Sequence, residues 1–215
     1  ILSVGSFGCN LACPFCQNAE IAMADGSTLT EEVTPAQLAT LAEELRHRPR
    51  GNLGVAFTYN EPLVGYEYIM DTAPLLHAAG LAVVLVTNGT ICAAPLARLL
   101  PHVDAMNIDL KSRHADTYRR LGGDLETVKE TIAHAVGSGV HVEVTTLIVP
   151  GISDAAEDMD AEARWLASLS PAIPLHISRY FPRHRMSAPP TPLAAIDRLT
   201  TIARQHLHHV HRGNC

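Results

Sequence analysis

The sequence has almost no lysine and no cluster of basic residues. Lys111 and Lys129 are its two lysines, and acidic side chains outnumber lysine and arginine by 22 to 16. Domains that bind nucleic acid usually carry a basic patch or stripe. We therefore expect no nucleic-acid partner.

Long hydrophobic runs are also missing. The longest apolar stretches, such as GLAVVLV at residues 80–86, are far shorter than the roughly 20 apolar residues of a transmembrane helix. No signal peptide is visible, and because the chain begins at Ile1 rather than Met, we expect a native N-terminal segment to be missing. These features predict a monomeric cytoplasmic protein with no membrane partner.

The cysteines do not have the distribution of a disulfide framework. Three of the five are bunched in the segment GCNLACPFCQN, at Cys9, Cys13 and Cys16. In a reducing compartment such a bunch indicates metal or redox chemistry. The two others, Cys92 and Cys215, are isolated, and we interpret them as inert thiols.

Short apolar runs alternate with helical patterns along the whole chain. Strands are predicted over residues 1–7, 53–59, 81–88, 103–110, 140–149 and 173–181. Helices are predicted over residues 34–48, 65–79, 94–100, 124–137, 157–168 and 192–210. With no break in composition, this alternation predicts one α/β domain with a mostly parallel sheet. A full eight-unit barrel has about 250 residues, so a chain of 215 suits a doubly wound sheet or a partial barrel.

Polar side chains follow nearly every predicted strand. The segments are the cysteine loop, TYNEP at 58–62, TNG at 87–89, NIDLK at 107–111, TT at 145–146 and SRY at 178–180. In parallel α/β folds, ligands bind beyond the carboxyl ends of the strands. We therefore expect one active face at that edge of the sheet.

The cysteine loop is open to three interpretations. A thioredoxin-like site uses only CPFC at 13–16 and leaves Cys9 without a role. A structural zinc site needs a fourth ligand, and no histidine has finger-like spacing to supply it. A [4Fe-4S] cluster held by three thiolates keeps one iron open for a substrate. Gly5 and Gly8 would let the backbone wrap closely around such a cluster.

The segment GCNLACPFCQN, with an aromatic residue before its third cysteine, resembles the motif of the radical S-adenosylmethionine (SAM) superfamily. AFTYNEPL, VTNG, DAMNIDLK, VEVTTLIVPG and PLHISRYFP extend the resemblance along nearly the whole chain. They are similar to the activating-enzyme branch, which includes pyruvate formate-lyase activating enzymes, and more closely to the radical SAM member of the AmmeMemoRadiSam group. The resemblance implies that residues 1–215 form a single radical SAM core domain, a partial (β/α)6 TIM-like barrel.

The same resemblance implies the cofactors and the reaction. Cys9, Cys13 and Cys16 hold a [4Fe-4S] cluster whose open iron binds SAM, and reduction of the cluster splits SAM to a 5′-deoxyadenosyl radical. The radical abstracts hydrogen, with a glycine of a partner glycyl-radical enzyme as the implied substrate, or alternatively a small molecule or a peptide. A flavodoxin or ferredoxin is the implied electron donor.

The resemblance also implies which residues contact SAM. These are Phe15, Gln17, Asn18, Asn60, Glu61, Asn88, Asp109 and Lys111, and Lys111 joins the three cysteines as a catalytic residue. Glu61 is the implied partner of the SAM ammonium group, although TYNEP departs from the family's Gly-Gly-Glu. Val86 stands where the activases have an Asp that helps to bind a monovalent cation, so that site is not carried over.

The sequence indicates less clearly which residues contact the substrate. Glu143, Thr145 and Arg179 are expected to point into the mouth of the barrel, with an outward orientation of Glu143 equally open. The histidine-rich segment at 206–215 is expected to be the solvated end of the last helix, with a metal-binding tail as the alternative.

Overall fold

The computed structural model describes residues 1–28 and 30–215. Its strands are β1 (Leu2–Val4), β2 (Gly54–Phe57), β3 (Ala82–Thr87), β4 (Ala105–Asp109), β5 (His141–Ile148), β6 (Leu175–Arg179) and β7 (Val210–Gly213). Its α-helices are α1 (Ala19–Ala22), α2 (Pro35–Arg46), α3 (Tyr66–Ala78), α4 (Ala93–Leu99), α5 (Ala115–Leu121), α6 (Leu125–Gly137), α7 (Ala156–Leu169) and α8 (Leu193–Ala203). In the part of the chain that is described, no helix is long and apolar enough to cross a membrane.

The seven strands form one parallel sheet in the order in which they occur in the chain. Every connection therefore moves one strand along in the same direction. Crossovers of one hand place the helices on one face of such a sheet and curl it toward a barrel. Within the described residues β1 and β7 do not pair with each other, so the barrel is open on one side. The predicted α/β class and partial TIM-like barrel are confirmed.

The two faces of the sheet have different chemistry because side chains alternate along a strand. On the outer face, Leu85, Ile108, Val144 and Ile177 are fully buried against the helices and belong to the main core. The residues next to them on β3 to β6 are half-buried and turn toward the inside of the barrel. The inner face is thus free to carry polar side chains toward the carboxyl ends of the strands.

The start of α2 shows how local chemistry sets an element boundary. Thr34 is the N-cap and accepts a hydrogen bond from the Gln37 N–H at 3.3 Å, while the Gln37 side chain accepts one from the Thr34 N–H at 2.8 Å. Pro35 occupies the first turn, where a missing N–H costs nothing. This reciprocal capping box agrees with the N-cap predicted from the sequence.

The C-terminal segment differs from its prediction. The last helix ends at Ala203 rather than near residue 210, and Val210–Gly213 is a seventh strand that pairs with β6. The solvated helix end predicted for the histidine-rich segment is therefore wrong. Leu207 and Val210 are buried in the core. The strand itself is too short for its alternating pattern to be recognised in the sequence. Helices α1 and α5 also have no counterpart among the predicted elements.

Candidate active site

A cavity of about 250 Å³ lies at the carboxyl ends of the strands. It brings together the residues expected to hold the cluster and to contact SAM. These are Cys9, Cys13, Phe15, Cys16, Gln17, Asn18, Asn60, Glu61, Asn88, Asp109 and Lys111. They come from the carboxyl end of β4 and from the segments that follow β1, β2, β3 and β4, so they converge on one face, as expected. The individual roles of these residues remain predictions.

The cysteine loop is held in place by its backbone. The Gly8 N–H donates to the Ile21 carbonyl at 2.9 Å, and the Ala12 N–H donates to the Leu121 carbonyl at 2.8 Å. Gly8 has φ +94°, a conformation that glycine adopts without strain. Leu11 and Phe15 pack into a small second core around the loop. The thiols therefore lie between an apolar layer and the cavity.

All three clustered cysteines are free thiols. Burial raises the pKa of Cys9, and it raises the pKa of Cys13 to about 11, against an opposing effect of the Lys111 charge. Two donors already point at the Cys9 sulfur, the Leu11 N–H at 3.3 Å and the Asn88 side-chain amide at 3.7 Å. Because metal binding displaces thiol protons, these groups are arranged to favour a bound thiolate.

Glu61 joins the ends of β2 and β3. One carboxylate oxygen accepts hydrogen bonds from the Leu63 N–H at 3.0 Å and the Thr87 hydroxyl at 2.6 Å, and the other accepts from the Asn88 N–H at 2.7 Å. The side chain is 3% exposed, and burial raises its pKa although these donors counteract the shift. Glu61 therefore positions two loops, and its predicted contact with an ammonium group would use the remaining acceptor capacity.

Asp109 and Lys111 form an ion pair inside the cavity. The Lys111 ammonium lies 2.6 Å from an Asp109 carboxylate oxygen, and the Lys111 backbone N–H donates to the buried Tyr118 hydroxyl at 3.0 Å. Burial lowers the pKa of Lys111, but Asp109 and Cys13 outweigh that effect and raise it. Lys111 therefore carries a positive charge beside the thiols.

Asn18 and Asn60 hold the rim of the cavity. The Asn18 amide donates to the Tyr59 carbonyl at 2.7 Å, and the Asn60 oxygen accepts from the Ser6 N–H at 3.0 Å while its nitrogen donates to the Gly8 carbonyl at 3.1 Å. Tyr59 itself has φ +72°, and these bonds stabilise that unusual turn. Both asparagines thus shape the cysteine loop as well as line the cavity.

Arg179 does not point into the mouth of the barrel, and that expectation is wrong. Its Nε donates to the Thr191 carbonyl at 2.7 Å and its guanidinium lies 4.8 Å from the centre of the Phe181 ring. The two-residue period of a strand places Arg179 on the same side as the buried Ile177. Ser178 takes the inward position and lines the cavity.

Glu143 and Thr145 share the inner face of β5, but only Thr145 reaches the cavity. Glu143 lies further from the site, between His141 at 3.1 Å and His176 at 2.6 Å. Glu143 points inward, as expected, but it does not lie at the mouth of the barrel, so that part of the prediction is wrong. Leu147 and Asn214 also line the cavity, although neither was predicted. The alternation of side chains along β5 could have identified Leu147.

The comparison with protein families identifies the type of site. Residues 3–166 match the radical SAM superfamily. The chain belongs to the radical SAM superfamily. It is also 36% identical over 219 residues to an uncharacterized protein of Methanocaldococcus jannaschii. That match covers all of the chain and 63% of the relative, so the chain spans less than two thirds of the relative's length.

Solved structures share the fold at low sequence identity. A radical SAM methyltransferase from Sphaerobacter thermophilus matches at a TM-score of 0.71 and 20% identity, over 98% of this chain and 64% of that one. SuiB of Streptococcus suis bound to SAM matches at 0.75 and 12%, over 100% and 51%. A domain of the pyruvate-formate lyase-activating enzyme from Bacteroides vulgatus matches at 0.63 and 19%, over 75% and 99%.

Radical SAM proteins use a [4Fe-4S] cluster and SAM, and the residues of this site fit both. Three free thiols border one cavity, an apolar layer backs them, and amides face the Cys9 sulfur. Across residues 1–28 and 30–215, no group of three or more His, Cys, Asp or Glu side chains converges on the position of a single metal ion. A cluster does not require such convergence, because each thiolate binds its own iron.

Proposed function

We propose that this chain is the catalytic core of a radical SAM enzyme that cleaves SAM reductively and abstracts hydrogen from a substrate. The observation that carries the proposal is the single cavity bordered by Cys9, Cys13, Cys16 and the Asp109–Lys111 pair. A thioredoxin-like dithiol would leave Cys9 and the charged pair unused. A structural zinc site would leave the cavity itself unexplained.

Some residues of the cavity are proposed to hold the cluster, and others are proposed to hold SAM. Cys9, Cys13 and Cys16 would hold the [4Fe-4S] cluster, and the cluster would in turn bind SAM. Lys111 would provide a positive charge for the SAM carboxylate, and Asp109 holds the Lys111 ammonium group in place. When bound and reduced by one electron, the cluster would supply the electron that splits SAM into methionine and a 5′-deoxyadenosyl radical.

The apolar layer sets the electrostatics of the cluster. Leu11 and Phe15 are 3% and 2% exposed and exclude water from one side of the site. Exclusion of water disfavours the extra negative charge of a reduced cluster, which lowers its reduction potential. A strongly reducing cluster suits the cleavage of a sulfonium C–S bond. A low-potential donor of the flavodoxin or ferredoxin type is the proposed electron source.

The proposed hydrogen donor is a backbone glycine of a partner enzyme, as for the glycyl-radical activases. Two observations support it, the resemblance of the motifs to that branch and the fold shared with a domain of a pyruvate-formate lyase-activating enzyme. A small molecule or a peptide is the second candidate. It is supported by the folds shared with a radical SAM methyltransferase and with SuiB, which has been crystallised bound to the precursor peptide SuiA.

The reaction is tested by anaerobic reconstitution with iron and sulfide, followed by SAM and dithionite. We expect a brown protein with about four irons per chain that forms 5′-deoxyadenosine. Cys16→Ala is expected to lose both the cluster and the product, because it removes one of three ligands. Wild-type protein that binds iron and SAM but forms no more 5′-deoxyadenosine than Cys16→Ala contradicts the proposal.

The substrate is tested with the same reconstituted protein. An activase generates a glycyl-radical doublet in the EPR spectrum of a partner protein, whereas the second candidate yields a modified free molecule or peptide. Transfer of deuterium from a substrate into 5′-deoxyadenosine identifies the hydrogen donor in either case. A deuterated partner glycine that leaves 5′-deoxyadenosine unlabelled contradicts the activase role.

A further inference from the structure

Asn88 is buried at the end of β3 and its side chain reaches the cysteine loop. The residue is 4% exposed, and its Nδ2 lies 3.7 Å from the Cys9 sulfur and 2.7 Å from the Asn10 side-chain oxygen. A distance of 3.7 Å between nitrogen and sulfur is a hydrogen bond, since sulfur is larger than oxygen. The amide nitrogen of Asn88 therefore has a protein acceptor for each of its two hydrogens.

The orientation of this amide is determined by the backbone of Thr90. The Thr90 N–H can only donate, and it donates to the Asn88 side-chain oxygen at 2.8 Å. The Thr90 carbonyl can only accept, and it accepts from the Asn10 Nδ2 at 3.0 Å, which turns the Asn10 oxygen toward Asn88. Rotating either amide by 180° would place donor against donor or acceptor against acceptor. The nitrogen of Asn88 must therefore face the sulfur.

The backbone of Asn88 is held equally firmly. Its N–H donates to the buried Glu61 carboxylate at 2.7 Å. The following Gly89 has φ +71°, and a side chain there would meet Ile108 at 2.8 Å, so this turn requires glycine. Asn88 thus presents a fixed donor to Cys9 before any cofactor binds.

We infer that Asn88 is a positioned hydrogen-bond donor to the Cys9 thiolate that raises the reduction potential of the cluster. The inference rests on the proposed function, because it requires a cluster on Cys9. Reduction adds negative charge to the cluster, and an N–H directed at a sulfur stabilises that charge. The bond offsets part of the effect of the apolar layer and keeps the cluster within the range of a protein reductant.

This role differs from the SAM contact that the family resemblance implies for Asn88. Both amide hydrogens are already used, and the oxygen already accepts from Thr90. A contact with SAM would have to break this network or use the remaining acceptor site of the oxygen. The two roles predict different losses on substitution, a change in potential for one and weaker SAM binding for the other.

The test is a potentiometric EPR titration of the reconstituted cluster in wild type, Asn88→Leu and Asn88→Asp. Leucine removes the donor at similar volume, and aspartate replaces it by a negative charge, so we expect a more negative midpoint potential in both and the larger shift for aspartate. Thr90→Val is the matched control. It removes a buried hydroxyl for which the described part of the chain offers no partner and leaves the Thr90 backbone in place, so its potential should equal that of wild type.

A second measurement, on the wild type, tests the inference even if the Asn88 variants fail to bind a cluster. Wild-type protein carrying ¹⁵N-asparagine should show a nitrogen coupled to the reduced cluster by pulsed EPR, and the absence of that coupling overturns the inference. A midpoint potential that is unchanged in both Asn88 variants overturns it too, as does weaker SAM binding at unchanged potential. If the wild type binds no cluster, the proposed function fails, which is distinguishable from these results.

Discussion

At the scale of single residues, the polar groups of the site form hydrogen bonds with other residues of the protein, independently of any ligand. Glu61 accepts from three donors on two loops, and Asn88 is held by Glu61, Thr90 and Asn10. Buried polar networks of this kind are stable only when every member has its partner. Small changes in them therefore affect folding of the apo protein as well as chemistry.

Glu61→Gln is predicted to destabilise the apo protein. A glutamine amide would turn its NH₂ group toward the Asn88 N–H or toward the Leu63 N–H, and a buried donor would lose its acceptor. The expected loss in the free energy of unfolding is about 1–3 kcal/mol, measured by urea denaturation. The control Glu44→Gln, at an exposed position of α2, should stay within about 0.5 kcal/mol of wild type. Equal stabilities for the two variants would contradict the prediction.

At the scale of elements, the larger helices cover the outer face of the sheet, and α7 does so with a buried acid. Glu162 is 3% exposed and accepts a hydrogen bond from the Thr146 hydroxyl on β5. Burial raises the pKa of Glu162 to about 7, against lowering effects of Thr146 and Arg113. We therefore expect the packing of α7 against β5 to depend on pH.

The Glu162→Gln variant should reveal this dependence. The pKa of Glu162 is higher in the folded state, so the folded protein holds a proton that the unfolded chain loses between about pH 4.5 and 7, and wild-type stability falls with rising pH across that window. Glutamine carries no charge at any pH. Its stability relative to wild type should therefore rise by on the order of 2 kcal/mol from pH 5 to pH 8.

Urea denaturation at the two pH values measures this difference. Glu157→Gln, at an exposed position of the same helix, is the control and should change stability by similar amounts at both. If the Glu162→Gln and Glu157→Gln differences share the same pH dependence, Glu162 does not titrate as a buried acid.

At the scale of the whole molecule, the one-way order of seven strands creates the site. Every strand end reaches the same rim, so segments far apart in the chain meet there, and the edge strand β7 contributes Asn214 to the cavity just after it ends. The C-terminal segment is therefore part of the folded body and not an appendage.

Val210→Asp is predicted to destabilise the whole sheet. Val210 is 5% exposed within the main core, and an unpaired carboxylate there should cost more than about 3 kcal/mol. Thermal and urea unfolding report the loss. His209→Asp changes the adjacent exposed residue and should cost less than about 0.5 kcal/mol. Similar effects of the two substitutions would show that β7 is not integrated in the core.

The sequence by itself determined the order of β1 to β6 and of six helices, the cluster of three cysteines and the edge of the sheet at which the polar residues gather. Those properties are local, because hydrophobic periodicity, capping residues and cysteine spacing are read within a few residues. Thr34 and Pro35, for example, predict the start of α2. The parallel sheet then follows from the alternation of strands and helices, and it carries the expected cysteines and SAM-contact residues to one cavity.

Only the tertiary structure decided β7, the contacts of Arg179 with Thr191 and Phe181, and the partners of Asn88. A four-residue strand has too few positions to show a period, so Val210–Gly213 is defined by its pairing with β6. The bond from Asn88 to Cys9 joins residues 79 positions apart. Such contacts depend on where two loops meet after the sheet has formed, and no pattern within either loop specifies that distance.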